Sequence, residues 1–263
     1  ISDADDSHLV GGTISISSGF TTGDMLILET RYGISGSFNS SNGVLTISGT
    51  TTKDNYQLAL NTITYHSTNE DPTVTSSSRT LTWVVTDANS DGAGAATSSG
   101  SFTSNITITP INDLPVFSAI NTLAYTVYGS AAIIDNTITI SDVDDIEFGG
   151  GTVTISSGFT TGDVLTLSTQ FGISGTFDSS NGVLTISGTA TLSNYQTALR
   201  SITFNSTSED PTITAGTRTI TWAVTDANSE SLGAETSTSV TSTINITPIN
   251  DPPVMTAGAT LAY

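Results

Sequence analysis

Short stretches in which apolar and polar residues alternate recur along the whole chain, separated by clusters of Gly, Asn, Asp and Ser. Alternation with a period of two, in segments rich in Thr, Val and Ile, is typical of strands that bury one face. In the complete repeat, only residues 194–200 have helical character. In the half of the chain where the pattern is complete it predicts nine strands, at residues 123–128, 134–140, 152–156, 164–168, 174–177, 183–187, 202–205, 217–225 and 238–246.

Two dipeptides in this pattern predict tight turns. Asn42-Gly43 and Asn181-Gly182 each stand between two alternating runs. An Asn-Gly pair in that position favours a type I′ hairpin, because both of its residues tolerate a positive φ. Many short strands joined by such turns predict an all-β fold, a β-sandwich of immunoglobulin-like type.

The aromatic residues are predicted to lie in the core. Trp83 and Trp222 alternate with polar neighbours along their predicted strands, which places them between two sheets. The other aromatic candidates are also expected in the core rather than exposed as platforms for sugar rings; they are Tyr32, Tyr65, Phe171 and Phe204.

The chain repeats its own sequence at long range. Residues 16–24 (ISSGFTTGD) recur at 155–163, and residues 108–113 (ITPIND) recur at 246–251. The spacing between the copies is longer than a solenoid unit, so each repeat is expected to be a domain with its own core. Tandem copies of one domain suit a role that depends on length and suit a catalyst poorly, so an enzyme is not expected.

The repeat frame predicts three parts. Residues 1–113 correspond to a repeat without its first strands, residues 114–251 to a complete repeat, and residues 252–263 to the start of a third. Two interpretations remain open: the chain is a section of a longer covalent array, or it is a subunit that associates head to tail with other copies.

The acidic composition of the chain argues against some classes of binding partner. The chain has 24 acidic and five basic residues, a net charge of −19, and no cysteine. This balance argues against nucleic acid and anionic membrane surfaces, which bind cationic patches. No apolar run approaches the ~20 residues of a membrane span. Four Asn-x-Ser/Thr triplets are expected by chance in a chain so rich in Ser and Thr; they begin at Asn39, Asn105, Asn205 and Asn245.

Acidic and amide side chains are concentrated in loops between the predicted strands. Following the strands alternately up and down assigns these loops to the two ends of each repeat. If the repeats stack end to end, eight side chains meet at the junction: Glu70, Asp71, Asn112, Asp113, Asp142, Asp144, Asp145 and Asp226. Anionic groups packed together repel one another unless a cation lies among them.

A set of ligands that offers only oxygen, without His or Cys, is typical of a Ca²⁺ site. The same strand map leaves half of such a set at each outer end of the chain. These half sets are Asp3, Asp5, Asp6 and Asp87 in the first repeat, and Glu209, Asp210, Asn250 and Asp251 in the second.

These motifs carry a family resemblance. Residues 81–89 (LTWVVTDAN), followed by 105–117 (NITITPINDLPVF), resemble the end of a cadherin repeat, where an A-x-D segment precedes a strand and a D-x-N-D-N-x-P-x-F linker. Asp142-Val-Asp144 resembles the family's D-x-D, Asp226 the acidic residue of A-x-D, and Glu70-Asp71 a shortened D-R-E. Two linker positions depart from the pattern, since Pro110 and Leu114 stand where the family has Asp and Asn.

The resemblance covers both repeats and is closest to the cadherin-like tandem repeats of large bacterial surface adhesins. It implies calcium between the domains, with one or two ions per junction, and an extracellular or cell-surface location. The leading hypothesis is a calcium-stiffened stalk or filament whose partners are neighbouring repeats or head-to-tail copies. The alternative is a sandwich module that binds carbohydrate or protein in cell adhesion.

Overall fold

The computed structural model describes residues 1–89, 92, 96, 98–228, 231–253 and 255. The chain divides into two compact units, residues 1–111 and 112–263. The described part of each unit consists of β-strands and one short helix, so the prediction of an all-β fold is confirmed. Most of the predicted third repeat, residues 254 and 256–263, lies outside the described residues.

Unit 1 is built from a five-stranded sheet in the order β3-β4-β1-β6-β7 and the pair β2-β5. Its buried apolar side chains come from both sheets and from the helix, so the core lies between them. The elements described in this unit are β1 (His8–Ser18), β2 (Asp24–Ile27), β3 (Ser35–Asn39), β4 (Val44–Thr52), α1 (Lys53–Leu60), β5 (Thr64–Ser67), β6 (Ser78–Asp87) and β7 (Phe102–Thr107).

Unit 2 repeats this plan with additional strands. A six-stranded sheet, β14-β15-β12-β17-β18-β9, encloses the core with the sheet β10-β16-β13, and β11 pairs with β8. The described elements are β8 (Val116–Ser118), β9 (Thr122–Thr126), β10 (Ala132–Ile133), β11 (Thr139–Ser141), β12 (Glu147–Ser157), β13 (Asp163–Thr166), β14 (Ser174–Asp178), β15 (Val183–Thr191), α2 (Leu192–Arg200), β16 (Thr203–Ser206), β17 (Thr217–Asp226) and β18 (Val240–Thr247).

β9 pairs with β18 at one edge of the six-stranded sheet of unit 2. All other strand pairs in the unit are antiparallel among the described residues, whereas these two run parallel. The register matches Thr122 with Thr243 at one end and Thr126 with Thr247 at the other. A strand near the start of the unit is therefore bonded to the last strand described in it.

One predicted strand is interrupted. The pattern predicts a continuous strand over residues 134–140, but β10 ends at Ile133 and β11 begins at Thr139. Asp135 lies between them, 1% exposed, and its carboxylate accepts hydrogen bonds from the backbone N–H groups of Ile120 (3.1 Å), Asn121 (3.0 Å) and Thr137 (2.8 Å). These bonds, one within the loop and two to the segment before β9, compete with a strand ladder and break it.

The predicted type I′ turns at Asn42-Gly43 and Asn181-Gly182 are wrong. The hairpins form, but each is closed by a four-residue loop in which only the Gly has a positive φ, 69° for Gly43 and 70° for Gly182. The reason is the residue before the loop. Asp178 Oδ1 accepts hydrogen bonds from Ser180 N at 2.8 Å and Ser180 Oγ at 2.6 Å, which favours a longer loop.

Type I′ turns occur instead at two positions where the sequence predicts buried core residues. Tyr32-Gly33 and Phe171-Gly172 have positive φ at both residues, 51° and 78° in the first pair and 53° and 80° in the second. Tyr32 and Phe171 are 44% and 53% exposed. The prediction that Tyr32 and Phe171 lie in the core is therefore wrong, whereas Phe204 is fully buried and Tyr65 is half-buried.

The two tryptophans differ in burial. Trp222 is 0% exposed and stacks on Phe117 of β8, with ring centroids 6.3 Å apart. Trp83 occupies the equivalent place in unit 1 but is only half-buried, so the core prediction holds fully for Trp222 alone. The described residues of unit 1 include no strand equivalent to β8, and Trp83 instead borders a groove of about 490 Å³ lined by Ile1, Leu60, Val85 and Phe102.

A buried ion pair recurs in both units. Arg218 Nε lies 2.6 Å from Asp163 Oδ2, and both side chains are 0% exposed. The same guanidinium donates to the carbonyl oxygens of Pro211 and Ala215, each at 2.6 Å. Arg79 and Asp24 form the corresponding pair in unit 1. The arginine thus links β13 to the backbone of the loop that precedes β17.

Candidate metal centre

Six of the eight residues predicted at the junction belong to unit 2, and hydrogen bonds link them there. We call them the oxygen cluster: Asn112, Asp113, Asp142, Asp144, Asp145 and Asp226. Asp145 and Asp226 are each 1% exposed, and Asn112, Asp142 and Asp144 are half-buried. The other two predicted ligands, Glu70 and Asp71, belong to unit 1.

Asp142 organises the loop that follows β11. Its Oδ1 accepts hydrogen bonds from the backbone N–H groups of Asp144 at 3.2 Å and Asp145 at 3.1 Å. A side chain that bonds the backbone just ahead of it in this way forms an Asx-type turn. The turn holds three carboxylates on one short loop.

Asn112 and Asp113 connect this loop to the end of β17. Asn112 Nδ2 donates to Asp226 Oδ2 at 3.0 Å and to the carbonyl oxygen of Gly233 at 3.0 Å. The backbone N–H of Asp113 donates to Asp144 Oδ2 at 2.9 Å. Asp226 is held in addition by the N–H of Asn228, 3.1 Å from its Oδ1. The cluster is therefore assembled from three separate segments of unit 2.

With all its carboxylates ionised, the cluster has three buried oxygens that accept no hydrogen bond in the described structure. They are Asn112 Oδ1, Asp142 Oδ2 and Asp144 Oδ1. Buried acceptors normally have a donor, so three of them in one cluster require an explanation. Neither ion pair of the described residues involves these side chains. Donor-less oxygens, in a set without nitrogen or sulfur ligands, fit a hard cation such as Ca²⁺.

Asp142 and Asp144 each affect the ionisation of the other. Burial and the neighbouring Asp144 carboxylate raise the pKa of Asp142 to about 7. Burial opposes ionisation of Asp144 as well, but hydrogen bonds from Asp142 and from the Asp113 N–H hold the pKa of Asp144 below its usual value. Two carboxylates that face each other as acceptors share a hydrogen bond only when one is protonated. Without a cation, the pair therefore retains a proton at higher pH than an ordinary Asp.

Unit 1 folds its equivalent loop in the same way. Asp3 Oδ1 accepts hydrogen bonds from the N–H groups of Asp5 at 3.3 Å and Asp6 at 3.1 Å, and the Asp6 N–H is the main group that lowers the pKa of Asp3. Asp3, Asp5 and Asp6 each place one carboxylate oxygen within 4.8 Å of the others. Asp87, the fourth member of this predicted half set, is buried at the end of β6.

In each of the acidic loops before β6 and β17, one carboxylate accepts hydrogen bonds from a Thr of the same loop. Asp71 Oδ1 accepts from Thr73 N at 2.8 Å and Thr73 Oγ1 at 2.7 Å. Asp210 Oδ1 accepts from Thr212 N at 3.0 Å and Thr212 Oγ1 at 2.7 Å. These bonds leave the second oxygen of each carboxylate as the one that could bind a cation.

Tyr128 links members of the outer half set of unit 2. Its hydroxyl lies 3.3 Å from Asp251 Oδ2 and 3.5 Å from the carbonyl oxygen of Glu209. Its φ is +63°, an uncommon value for an aromatic residue. No described contact joins Asp210 or Asn250 to this group.

Several polar residues that shape these loops escape prediction from the sequence. The Arg218–Asp163 and Arg79–Asp24 pairs leave one trace, because both repeats keep them in a chain with only five basic residues. Asp135 and Tyr128 leave none, since the sequence holds no second copy of the segment that contains them.

Comparisons with known proteins support only a distant relationship. No protein-family model matches the chain. Halomucin from Haloquadratum walsbyi (strain DSM 16790 / HBSQ001) is 36% identical over 86 residues, which is 30% of this chain and 1% of halomucin. The chain thus spans a very small part of the length of this relative.

Solved cadherin structures align with the chain at low similarity. Human protocadherin-24 EC1-2 covers 94% of this chain, and is itself covered to 86%, at 10% identity and a TM-score of 0.32. Protocadherin gamma B2 domains 1-5 cover 95% and are covered to 42%, at 12% identity and a TM-score of 0.33. Mouse cadherin-23 EC22-24 covers 86% and is covered to 53%, at 13% identity and a TM-score of 0.30. The cadherin resemblance therefore rests on the sequence motifs.

The two helices of the described residues are short. Neither α1 nor α2, with 8 and 9 residues, is long and apolar enough to cross a membrane.

Proposed function

We propose that this chain is an extracellular adhesion-type repeat segment in which Ca²⁺ at the oxygen cluster joins and stiffens successive repeats. The observation that carries the proposal is the group of three buried, donor-less oxygens on Asn112, Asp142 and Asp144. When bound, Ca²⁺ supplies the positive charge that offsets the repulsion among these carboxylates.

The residues of unit 2 prepare the cluster for a cation. The Asp142 turn and the Asn112 carboxamide fix the positions of the acidic side chains through bonds to other atoms, and the donor-less oxygens stay available. A prearranged set of oxygens loses less conformational freedom on binding than a mobile one. Glu70 and Asp71 stay predictions as the ligands that unit 1 would contribute.

The chain is expected to bind Ca²⁺, and Asp144→Asn is expected to weaken binding at least tenfold, because it replaces a ligand carboxylate with a neutral group. Isothermal titration with CaCl₂ after chelator treatment measures the affinity. Asp178→Asn is the matched control, since it makes the same change in charge on an exposed turn and Asn39 occupies the equivalent position in unit 1. Equal affinities for wild type and Asp144→Asn would contradict the proposed site.

Two further measurements separate binding from stiffening. Glu70→Gln is expected to weaken Ca²⁺ binding, with Glu29→Gln as its control, because Glu29 is exposed and belongs to no predicted ligand set. Small-angle X-ray scattering with calcium and with chelator tests the mechanical part of the proposal. A maximum dimension that stays the same while calcium binds would reject the stiffening role and keep the site.

The exposed turn aromatics favour a second candidate function, a module that binds carbohydrate through ring stacking. Tyr32 and Phe171 are exposed at equivalent turns of the two units, and the Arg31 guanidinium lies over one face of the Tyr32 ring, 5.0 Å from its centroid. Stacking on an aromatic face is a common way to bind an amphipathic partner. The double variant Tyr32→Ala/Phe171→Ala is expected to lose binding on a glycan array while its Ca²⁺ affinity is unchanged. An array without signal for the wild type would remove this candidate.

A further inference from the structure

The four Asn-x-Ser/Thr triplets occupy different environments. Asn205 lies in β16, between β10 and β13, and its Oδ1 accepts the Tyr125 hydroxyl at 2.6 Å. Asn245 lies in β18, bonded on both sides by β17 and β9, and Asn105 lies in β7, paired with β6. Only Asn39, the last residue of β3, opens an exposed loop.

All four asparagines lie in strands, and Asn39 pairs with Val44. Asn39 differs because it ends its strand and the rest of its triplet lies in the loop, whereas the other three are followed by further strand residues. Asn105 and Asn245 are also exposed, but they lie within the ladders.

The Asn39 carboxamide is held with its nitrogen free. Asn39 Oδ1 accepts hydrogen bonds from Ser41 N at 3.0 Å and Ser41 Oγ at 2.7 Å. Its Nδ2 has no acceptor among the described residues, and the side chain is exposed. The hydroxyl two residues ahead, which the Asn-x-Ser/Thr acceptor sequence requires, thus contacts the carboxamide directly.

We propose that Asn39 is an N-glycosylation site of this chain. Asn39 Nδ2 would attack the anomeric carbon of an oligosaccharide carried on a lipid pyrophosphate. The carbon–nitrogen bond forms as the bond from that carbon to the pyrophosphate oxygen breaks. The lipid pyrophosphate leaves with the electron pair, and Nδ2 loses one proton. The inference rests on the extracellular location in the proposed function, because such acceptors are used in secreted proteins.

A glycan at this position would protect an exposed sheet edge. β3 is an outer strand of the five-stranded sheet, and exposed edges invite pairing with other chains. In unit 2 the equivalent outer strand, β14, ends at Asp178. A charged residue also discourages edge pairing. The two repeats would then protect equivalent edges in two ways, a bulky sugar on Asn39 and a charge on Asp178.

The second repeat also provides a variant that preserves the turn. Asp178 forms the same bonds to Ser180 as Asn39 forms to Ser41. Asn39→Asp therefore removes the acceptor nitrogen with little effect on the fold. Trypsin releases residues 32–53 as one peptide, in which Asn39 begins the only acceptor triplet.

The test is mass spectrometry of this tryptic peptide from the chain isolated from its native source. A peptide that carries a glycan, lost on treatment with a glycan-releasing amidase, supports the proposal. In a glycosylating host that exports the chain, Asn39→Asp and Ser41→Ala are expected to abolish the modification, while Asp178→Asn adds a second glycan to the intact mass.

An unmodified 32–53 peptide in the native material overturns the proposal, as does a glycan found only at Asn105. Calcium titration of the same material keeps this result separate from the proposed function. An unmodified chain that binds Ca²⁺ rejects the glycosylation site alone, and a glycosylated chain that binds no Ca²⁺ rejects the metal site alone.

Discussion

Arg218→Met is expected to lower the free energy of unfolding of unit 2 by about 3–5 kcal/mol. The substitution leaves the Asp163 carboxylate buried without its cation, and a buried charge that loses its partner is strongly destabilising. It also removes the donor to the carbonyl oxygens of Pro211 and Ala215. Urea unfolding followed by Trp222 fluorescence, in a Trp83→Phe background, measures the change.

The double variant Asp163→Leu/Arg218→Met shows whether the unpaired Asp163 charge or the lost bonds to the carbonyl oxygens cause most of the loss in stability. If the unpaired charge is the main cost, removing both partners restores most of the lost stability. If the carbonyl contacts matter more, the double variant stays as unstable as Arg218→Met. Arg31→Met is the control for the loss of an arginine outside a buried pair. Arg31 lies at a surface turn of unit 1 over the Tyr32 ring, and its replacement, followed by Trp83 fluorescence in a Trp222→Phe background, should cost less than ~1 kcal/mol. A loss below 1 kcal/mol for Arg218→Met would contradict the assignment of a structural ion pair.

Trp222→Ala is expected to cost unit 2 about 3–5 kcal/mol, because it removes a fully buried indole that stacks on Phe117. Trp83→Ala, the matched change in unit 1, is expected to cost roughly half as much because Trp83 is half-buried and borders a groove. Circular dichroism during urea unfolding measures each loss, and the remaining tryptophan reports the unaltered unit. Equal losses in the two variants would contradict the difference in packing.

Strands such as β15 and the helix α2 could be predicted where apolar residues recur with one period, two for a strand and about 3.6 for a helix. Alternation placed a strand at residues 183–187, within β15, and helical character at residues 194–200, within α2. The prediction failed where a buried polar side chain competes with the ladder. Asp135 bonds backbone groups of residues 120 and 121, and this contact between distant segments has no local signature.

The turns failed for a similar reason. Asn181-Gly182 predicts a two-residue turn, but the Asp178 side chain bonds Ser180 and selects a longer loop. The I′ geometry occurs instead at Tyr32-Gly33 and Phe171-Gly172, although aromatic residues disfavour a positive φ. In these turns the strand pairing determines the conformation more than the propensity of the turn residue.

The sequence yields a list of candidate ligands, which stays a prediction, but it does not predict their geometry. Strand direction accounts for the loops that carry Asp142, Asp144, Asp145 and Asp226 at one end of unit 2. Hydrogen bonds link these loops there to Asn112 and Asp113, which the strand map assigns to the end of the first repeat. The roles of individual atoms could not be predicted. Asp71 and Asp210 each use an oxygen to bond a Thr in their own loop, and this depends on loop conformation.

The parallel pairing of β9 and β18 has a mechanical consequence. These strands lie near opposite ends of unit 2, so tension along the chain pulls them in opposite directions along their common axis. After the three-residue pair β8–β11 yields, the bonds between residues 122–126 and 243–247 carry the load in shear and must break together. Antiparallel strands pulled from one shared end separate one bond at a time. Unit 2 should therefore resist stretching through a high barrier to forced unfolding, a kinetic property distinct from its equilibrium stability.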